Sequence, residues 1–180
     1  FQSLPKESRK RQAFDVDEWK SIYTFMRSNQ WMKNESSKVE EQRFFIRQFA
    51  LILVNTGVRF GEARKLQWRN IKITQEKSSE ENTERVVKIS LDAEQTKNNK
   101  ARIVIGRRGD VFDRLKKYSN YTKPNDFVFV DNDTGEQLVR DSYYKHWNYL
   151  INATNLNENR QESTFYCLRH TYATWRLYAH

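Results

Sequence analysis

The sequence predicts an α+β domain that is mainly α-helical and carries one small three-stranded antiparallel sheet. Apolar residues recur at helical spacing in both halves of the chain, which predicts amphipathic helices. Between residues 71 and 105 they alternate with polar residues instead, which is the period of a half-buried strand. With 180 residues, 5 glycines and 2 prolines, the chain fits one compact domain and shows no repeat or low-complexity segment.

The helices before the sheet follow from capping residues and apolar spacing. Asp15 or Asp17 can cap a first helix that continues to Met26. The longest predicted helix runs from Glu41 to Thr56, and its C-terminal half is apolar all round, which predicts the central core helix. Gly57 is expected to end it in the left-handed conformation. A polar segment from Lys33 to Glu40 separates these two helices, and a short helix is predicted from Phe60 to Trp68.

Three short strands account for the alternating stretch, and polar turns from Gln75 to Glu84 and from Asp92 to Lys100 join them into an antiparallel sheet. The alternating apolar positions are Ile71 and Ile73, then Val87, Ile89 and Leu91, then Ile103 and Ile105. Helices are predicted again from Val111 to Tyr118, from Ser142 to Thr154 and from about Tyr166 to the end of the chain.

Composition narrows the class of function. Lys and Arg total 32 against 23 Asp and Glu, so the net charge is +9, and nucleic acid is the first candidate partner for a surface this basic. The single cysteine, Cys167, cannot form an internal disulfide and fits a reducing, intracellular setting. The longest apolar run, Phe49 to Val54, is far shorter than the ~18 residues of a membrane helix. The three histidines have no cysteine partners at ligand spacing, so no metal or other cofactor is expected.

Chemistry-bearing residues gather in three segments that suit a metal-free reaction at a DNA phosphate. Arginine donates two parallel hydrogen bonds to phosphate oxygens, lysine can protonate a leaving oxygen, and a nucleophile completes the set. Arg59 follows the stop at Gly57 and lies beside the backbone donors of a helix start, which also favour an anion. The segments are Thr56-Gly57-Val58-Arg59-Phe60-Gly61-Glu62-Ala63-Arg64-Lys65-Leu66, Thr96-Lys97-Asn98-Asn99-Lys100-Ala101-Arg102 and Tyr166-Cys167-Leu168-Arg169-His170-Thr171-Tyr172-Ala173-Thr174.

In this order and spacing the three segments resemble the catalytic domain of the tyrosine recombinases, the phage-integrase family. That family has TG-x-R-x-x-E-x-x-x-L, then T-K-x-x-x-x-R at a hairpin, then H-x-L-R-H-T-x-A-T. The resemblance covers nearly the whole chain and implies the family's catalytic-domain fold. It also implies that the complete enzyme cleaves and rejoins double-stranded DNA through a 3′-phosphotyrosyl link, with several subunits assembled on paired sites.

The resemblance assigns a role to each matching residue. Arg59 and Arg169 match the two catalytic arginines, Lys97 matches the hairpin lysine that acts as general acid, and Glu62 matches a supporting carboxylate. Tyr166 stands where the family most often has histidine, and it is assigned as a hydrogen-bond donor to phosphate because a phenol, with a pKa of about 10, is a poor general base. His170 is assigned to structural support, and Lys100 and Arg102 are assigned to contacts with DNA phosphates.

Other interpretations of the same residues stay open. Arg59 can be a helix-terminus arginine that pairs with Glu62, Arg169 can pair with Glu162, and Lys97 can be an ordinary solvated loop lysine. For the whole protein, the alternatives are a type IB topoisomerase-like strand relaxer and a non-catalytic DNA-binding module.

The resemblance also predicts how the chain is divided. Residues 1–12 are expected to be a basic linker from an N-terminal core-binding domain, and residues 13–180 a catalytic domain without its C-terminal part. The family's nucleophilic tyrosine follows the third segment by a few tens of residues, so it is expected beyond His180, and this chain alone is expected to be inactive. Tyr172 is instead assigned to the core of the last helix, and the protein is expected to act in the cytoplasm of a bacterial host.

Overall fold

The computed structural model describes residues 12–77, 83–158 and 162–178, and within these ranges it confirms a mainly helical α+β architecture. Residues 1–11 of the predicted basic linker lie outside the described residues. The elements in chain order are α1 (Val16–Phe25), α2 (Asn29–Met32), α3 (Ser37–Thr56), α4 (Phe60–Arg64), β1 (Ile71–Lys77), β2 (Thr83–Leu91), β3 (Arg102–Gly106), α5 (Asp110–Tyr118), α6 (Arg140–Ala153) and α7 (Phe165–Tyr178). Two 3-10 turns, Trp68–Asn70 and Ala93–Gln95, flank the sheet. None of the described helices is both long enough and apolar enough to cross a membrane.

The long helix α3 forms the centre of the core, as its apolar sequence predicts. It packs against α2, α4, α5, α6, α7 and β3. The Phe49 ring is fully buried and meets the rings of Phe129, Tyr143 and Phe165 edge to face, with centroids 4.9, 4.7 and 5.5 Å away. Burying a side chain of this size contributes about 1.5–3 kcal/mol, so this aromatic cluster holds α6 and α7 firmly against α3.

The start of α3 differs from the prediction, because the helix begins at Ser37 and not at Glu41. Its first turn is polar and has no apolar spacing to reveal it. An ion pair to a distant residue supports this turn: the Lys38 ammonium lies 2.6 Å from Asp131, besides a local pair with Glu41 at 3.1 Å. Helix bounds set by a distant partner are not visible in local sequence.

The predicted helix from Phe60 to Trp68 is too long, because α4 ends at Arg64. The carbonyl of Leu66 accepts a hydrogen bond of 2.9 Å from the amide of Val128, and Gln67 forms an isolated bridge with Phe127. These extended pairings remove the backbone groups that a longer helix would need.

The first helix, α1, begins as predicted and packs against the last one. Asp15 caps α1: it accepts a hydrogen bond of 2.8 Å from the amide of Glu18, whose carboxylate accepts one of 2.9 Å in return. One residue earlier, the amide of Phe14 donates to the Thr171 hydroxyl at 2.8 Å. The described start of the chain is therefore attached to α7.

The sheet is antiparallel with strand order β1-β2-β3, as predicted. Val87 and Ile89 of the central strand are fully buried. In β3 the alternation identifies the strand but not its inward side, because Ile103 and Ile105 are 56% and 59% exposed. Arg102 and Val104 lie on the other side of the strand and are partly buried, and this places a guanidinium at the inner edge of the sheet.

Candidate active site

The site is built on the turn that ends α3. Gly57 has φ 64°, the predicted left-handed conformation, and its amide donates to the Leu53 carbonyl at 2.9 Å. A Cβ at Gly57 would overlap the ring of Tyr172, which is only partly buried and packs on this turn. The turn therefore brings the start of α4 beside the face of α7.

Arg169 is held on this turn by a contact between residues that are far apart in the sequence. Its Nη1 donates a hydrogen bond to the Gly57 carbonyl, 112 residues earlier in the chain. That bond uses one of the five guanidinium donors, so the fork keeps donors for an anion. The structure thus places the arginines of the first and third sequence segments on the same turn.

Glu62 joins two further arginines. Its carboxylate is 2% exposed, with one oxygen 2.9 Å from Nη1 of Arg59 and the other 2.5 Å from Nη2 of Arg102. The second oxygen also accepts the backbone amide of Arg59 at 2.9 Å, which ties the carboxylate to the start of α4. The Arg59–Glu62 pair of the simpler interpretation is therefore present, yet the Arg59 and Arg102 side chains stay about one third exposed, at 34% and 33%.

The charged groups of Arg59, Arg102 and Glu62 act on the pKa of Arg169. Burial lowers the pKa of Arg169, repulsion from Arg59 and Arg102 lowers it further, and attraction from Glu62 and Tyr166 acts in the opposite direction. Three guanidiniums thus interact electrostatically with the carboxylate of Glu62. A phosphodiester carries the negative charge that would relieve this repulsion, and arginine forks match its oxygens.

Tyr166 and His170 lie one turn apart on α7 beside this cluster. Their rings meet edge to face with centroids 4.8 Å apart, and Tyr166 is 39% exposed. Cys167, between them in sequence, is buried, and its thiol donates to the Glu162 carbonyl at 3.6 Å, in keeping with a small core residue. The phenol of Tyr166 is thus on the accessible side of the helix and the thiol on the packed side.

Lys97 lies in the loop between β2 and β3, as its sequence position predicts. The loop closes around Thr96, whose hydroxyl lies 3.0 Å from the Lys100 carbonyl and 3.1 Å from the Lys100 amide. Lys97 and Lys100 are both exposed on its outer side. In the part of the chain that the structure describes, the Lys97 ammonium forms no hydrogen bond or ion pair.

Arg102 has a contact that sequence reasoning did not foresee. Its guanidinium binds the buried Glu62 across 40 residues of sequence, and the DNA contact expected from its position in the hairpin segment stays a prediction. The sequence carried no signal for the pair with Glu62, because the alternation in β3 suggests that Ile103, and not Arg102, faces inward, whereas Ile103 is exposed. A charged residue on the inner side of a strand needs a buried counter-charge.

No curated protein matches the chain. A XerH site-specific recombinase bound to difH substrate in a pre-cleavage complex matches with a TM-score of 0.65 and 19% identity, over 93% of this chain and 43% of that one. The Tn1549 transposon integrase in complex with circular intermediate DNA matches with a TM-score of 0.59 and 18% identity, over 98% of this chain and 55% of that one. The chain thus spans about half the length of these proteins, and the likeness shows a shared fold.

The family comparison is more specific than the structural one. The model of the phage integrase family matches residues 12–179, which include all three segments and the arginine cluster. The chain therefore belongs to the phage integrase family, the tyrosine recombinases.

Proposed function

We propose that the complete protein is a site-specific recombinase or integrase, and that this chain holds the phosphate-binding part of its catalytic domain. The observation that carries the proposal is that Arg59 and Arg102 pair with Glu62 while Arg169 binds the Gly57 carbonyl, two residues before Arg59. In this proposal residues 13–180 belong to the catalytic domain, and residues 1–12 lead in from a core-binding domain.

The cluster suits a phosphate whose charge grows during reaction. Arg59 and Arg169 would each bind a non-bridging oxygen, and Glu62 would keep Arg59 in position from behind. Fixed donors aimed at developing charge typically contribute about 10²–10³ in rate. Tyr166, on the accessible side of α7, would donate a further hydrogen bond to the same phosphate.

The reaction proceeds in two balanced steps. The phenol of a tyrosine elsewhere in the complete protein gives up its proton to solvent as its oxygen bonds to phosphorus, the bond from phosphorus to the 5′ oxygen breaks, and Lys97 protonates that leaving oxygen. The 5′-hydroxyl of a second strand then returns a proton to Lys97 as it attacks the 3′-phosphotyrosyl link, and the released tyrosine oxygen regains its proton from solvent. Each step exchanges one phosphate ester for another, so strand joining needs no ATP.

The partners follow from the reaction. The XerH and Tn1549 structures hold those proteins on DNA, and exchange between two sites requires more than one subunit. We infer that this protein binds double-stranded DNA and self-associates on paired sites in the cytoplasm of its host.

Replacing Arg59 in the full-length protein tests the proposal. Arg59→Ala should abolish DNA cleavage and leave DNA binding largely intact, because other cations still contact the backbone. Arg69→Ala is the matched control, since Arg69 is 55% exposed and pairs only loosely with Asp92 at 3.7 Å. Both variants are assayed on a plasmid that carries two target sites.

The products separate the alternatives. Recombined plasmid from the unmodified protein and the control, with none from Arg59→Ala, supports the proposal. Near-normal cleavage by Arg59→Ala would sink the active-site assignment. Relaxed plasmid without exchange would indicate a topoisomerase-like enzyme, and binding without cleavage by the unmodified protein would indicate a non-catalytic DNA-binding module.

A further inference from the structure

A second group of arginines lines a cavity of about 210 Å³ between α1, α3 and α5. None of its lining residues belongs to the cluster around Glu62. The lining consists of four arginines, one tyrosine and one leucine: Tyr23, Arg27, Arg47, Leu51, Arg108 and Arg114. We call this the α1–α3–α5 cavity.

Two of the four arginines are already fixed in place. Arg108 contacts the Asp110 carboxylate through Nε and Nη2 at 2.9 and 3.0 Å, and Arg114 binds the same carboxylate through Nη1 at 2.7 Å. Arg27, the most exposed of the four, lies over the Tyr23 ring, 5.3 Å from its centroid. One carboxylate therefore balances two guanidiniums, and the cavity keeps a clear excess of positive charge.

Among the described residues, this arrangement leaves Arg27 and Arg47 without a carboxylate partner, and Arg47 is the partly buried one of the two. It lies in the middle of α3, and its Nη1 meets the Met32 sulfur at 3.2 Å, which is a weak acceptor. Within the described ranges, no carboxylate pairs with it. Burial lowers the pKa of Arg47, and the charges of Arg114 and Arg27 lower it further. A half-buried cation among other cations costs free energy unless an anion joins it.

We infer that the α1–α3–α5 cavity binds a phosphate group. Four guanidiniums and a phenol are donors on three sides of one volume, and multiple planar forks suit a tetrahedral oxyanion. Asp110 keeps two of the forks in position before the anion arrives, which lowers the ordering cost of binding. The phosphate can belong to the backbone of bound DNA or to a free phosphate ion, and the two sources have the same chemistry at the cavity.

Inorganic phosphate is the first probe. Thermal unfolding of the chain is measured in sodium phosphate and in sodium chloride at equal ionic strength, for the unmodified chain, Arg47→Met and Lys117→Met. Lys117 is exposed on α5 and lies outside the cavity, so its replacement removes the same charge from the surface. Phosphate that binds to Arg59 and Arg169 stabilises all three chains alike. The difference between the two variants in the rise of unfolding temperature with phosphate therefore measures binding in the cavity.

Phosphate should raise the unfolding midpoint of the unmodified chain and of Lys117→Met by a few degrees more than chloride does. Arg47→Met should lose that gain, and in chloride it should unfold at the same temperature as the unmodified chain or higher, since an unpaired cation has been removed. Arg114→Gln repeats the test from another side of the cavity. A phosphate gain that persists in Arg47→Met, or that disappears equally in Lys117→Met, overturns the inference.

DNA binding then identifies the source of the phosphate. If the DNA backbone enters the cavity, Arg47→Met should lower the slope of log K against log salt by about 1 relative to Lys117→Met. If the slope is unchanged while the phosphate gain is lost, the cavity binds a free phosphate. DNA cleavage by Arg47→Met is measured in a separate assay. If the arginine cluster at Glu62 proves not to be an active site, the phosphate-binding result for the cavity still stands.

Discussion

Replacement of Gly57 by alanine tests the geometry of the turn on which the arginines meet. The substitution has two separable costs. A left-handed residue with a Cβ costs roughly 1–2 kcal/mol, and Gly57 has φ 64°. The new Cβ would also overlap the Tyr172 ring, and overpacking of this kind typically costs about 1–3 kcal/mol. Gly57→Ala should therefore lower the free energy of unfolding by about 2–5 kcal/mol, a large part of the ~5–15 kcal/mol available to a domain.

A double-mutant cycle separates the two costs. Urea unfolding is measured for the unmodified chain, Gly57→Ala, Tyr172→Ala and the double variant. Without the Tyr172 ring, Gly57→Ala should cost only the backbone part, so the two changes should couple by the overpacking part, about 1–3 kcal/mol. A coupling energy below about 0.5 kcal/mol would show that the ring does not constrain this turn. An unchanged stability of Gly57→Ala would refute the left-handed assignment itself.

Two further predictions concern buried polar groups. Glu62→Gln should lower the free energy of unfolding by about 2 kcal/mol. This is less than the ~3–5 kcal/mol that breaking a fully buried ion pair costs, because Arg59 and Arg102 both reach solvent. Urea denaturation measures the change, and a value under about 0.5 kcal/mol would contradict the prediction. Burial, aided by Arg43, lowers the pKa of His146 from 6.5 to about 4, and Gln42 accepts from its ring at 2.9 Å. Because the pKa is lower in the folded chain, the unfolded chain takes up the proton first as the pH falls. The stability that the neutral, buried His146 contributes is therefore fully present above pH 6.5 and is lost as the pH falls towards 4, by about 3 kcal/mol in all. His146→Asn should flatten the dependence of unfolding free energy on pH over that range, and an equally steep dependence in the variant would argue against the assignment.

Local sequence predicted those parts of the fold that local physics determines. Asp15 caps α1 because its carboxylate reaches a backbone amide three residues on, and Gly57 ends α3 because it tolerates the left-handed conformation. The bounds that were wrong depend on distant partners. The start of α3 is fixed by an ion pair from Lys38 to Asp131, 93 residues away, and the end of α4 by a hydrogen bond from Val128.

The sequence also predicted only part of the candidate site. Motif spacing singled out Arg59, Glu62 and Arg169, and the structure brings these residues together. Motif spacing could not indicate that Arg102 shares the carboxylate of Glu62, because that pair depends on how β3 lies against α4. The roles of Lys97 and Tyr166 in the reaction stay predictions, since one lies exposed on a loop and the other on the open side of α7.

The hydrogen bond from Arg169 to Gly57 also has a consequence for how the molecule is made. Its two residues are 112 positions apart, so a ribosome must synthesise most of the described chain before the bond can form. Closing so long a loop is opposed by chain entropy, and contacts of this kind form late in folding. During synthesis, α3 emerges long before α7, and the turn at Gly57 then lacks its second arginine. Until α7 has packed on this turn, the Gly57 carbonyl has no guanidinium bound to it, and Arg59 and Arg169 are not yet held on the same turn.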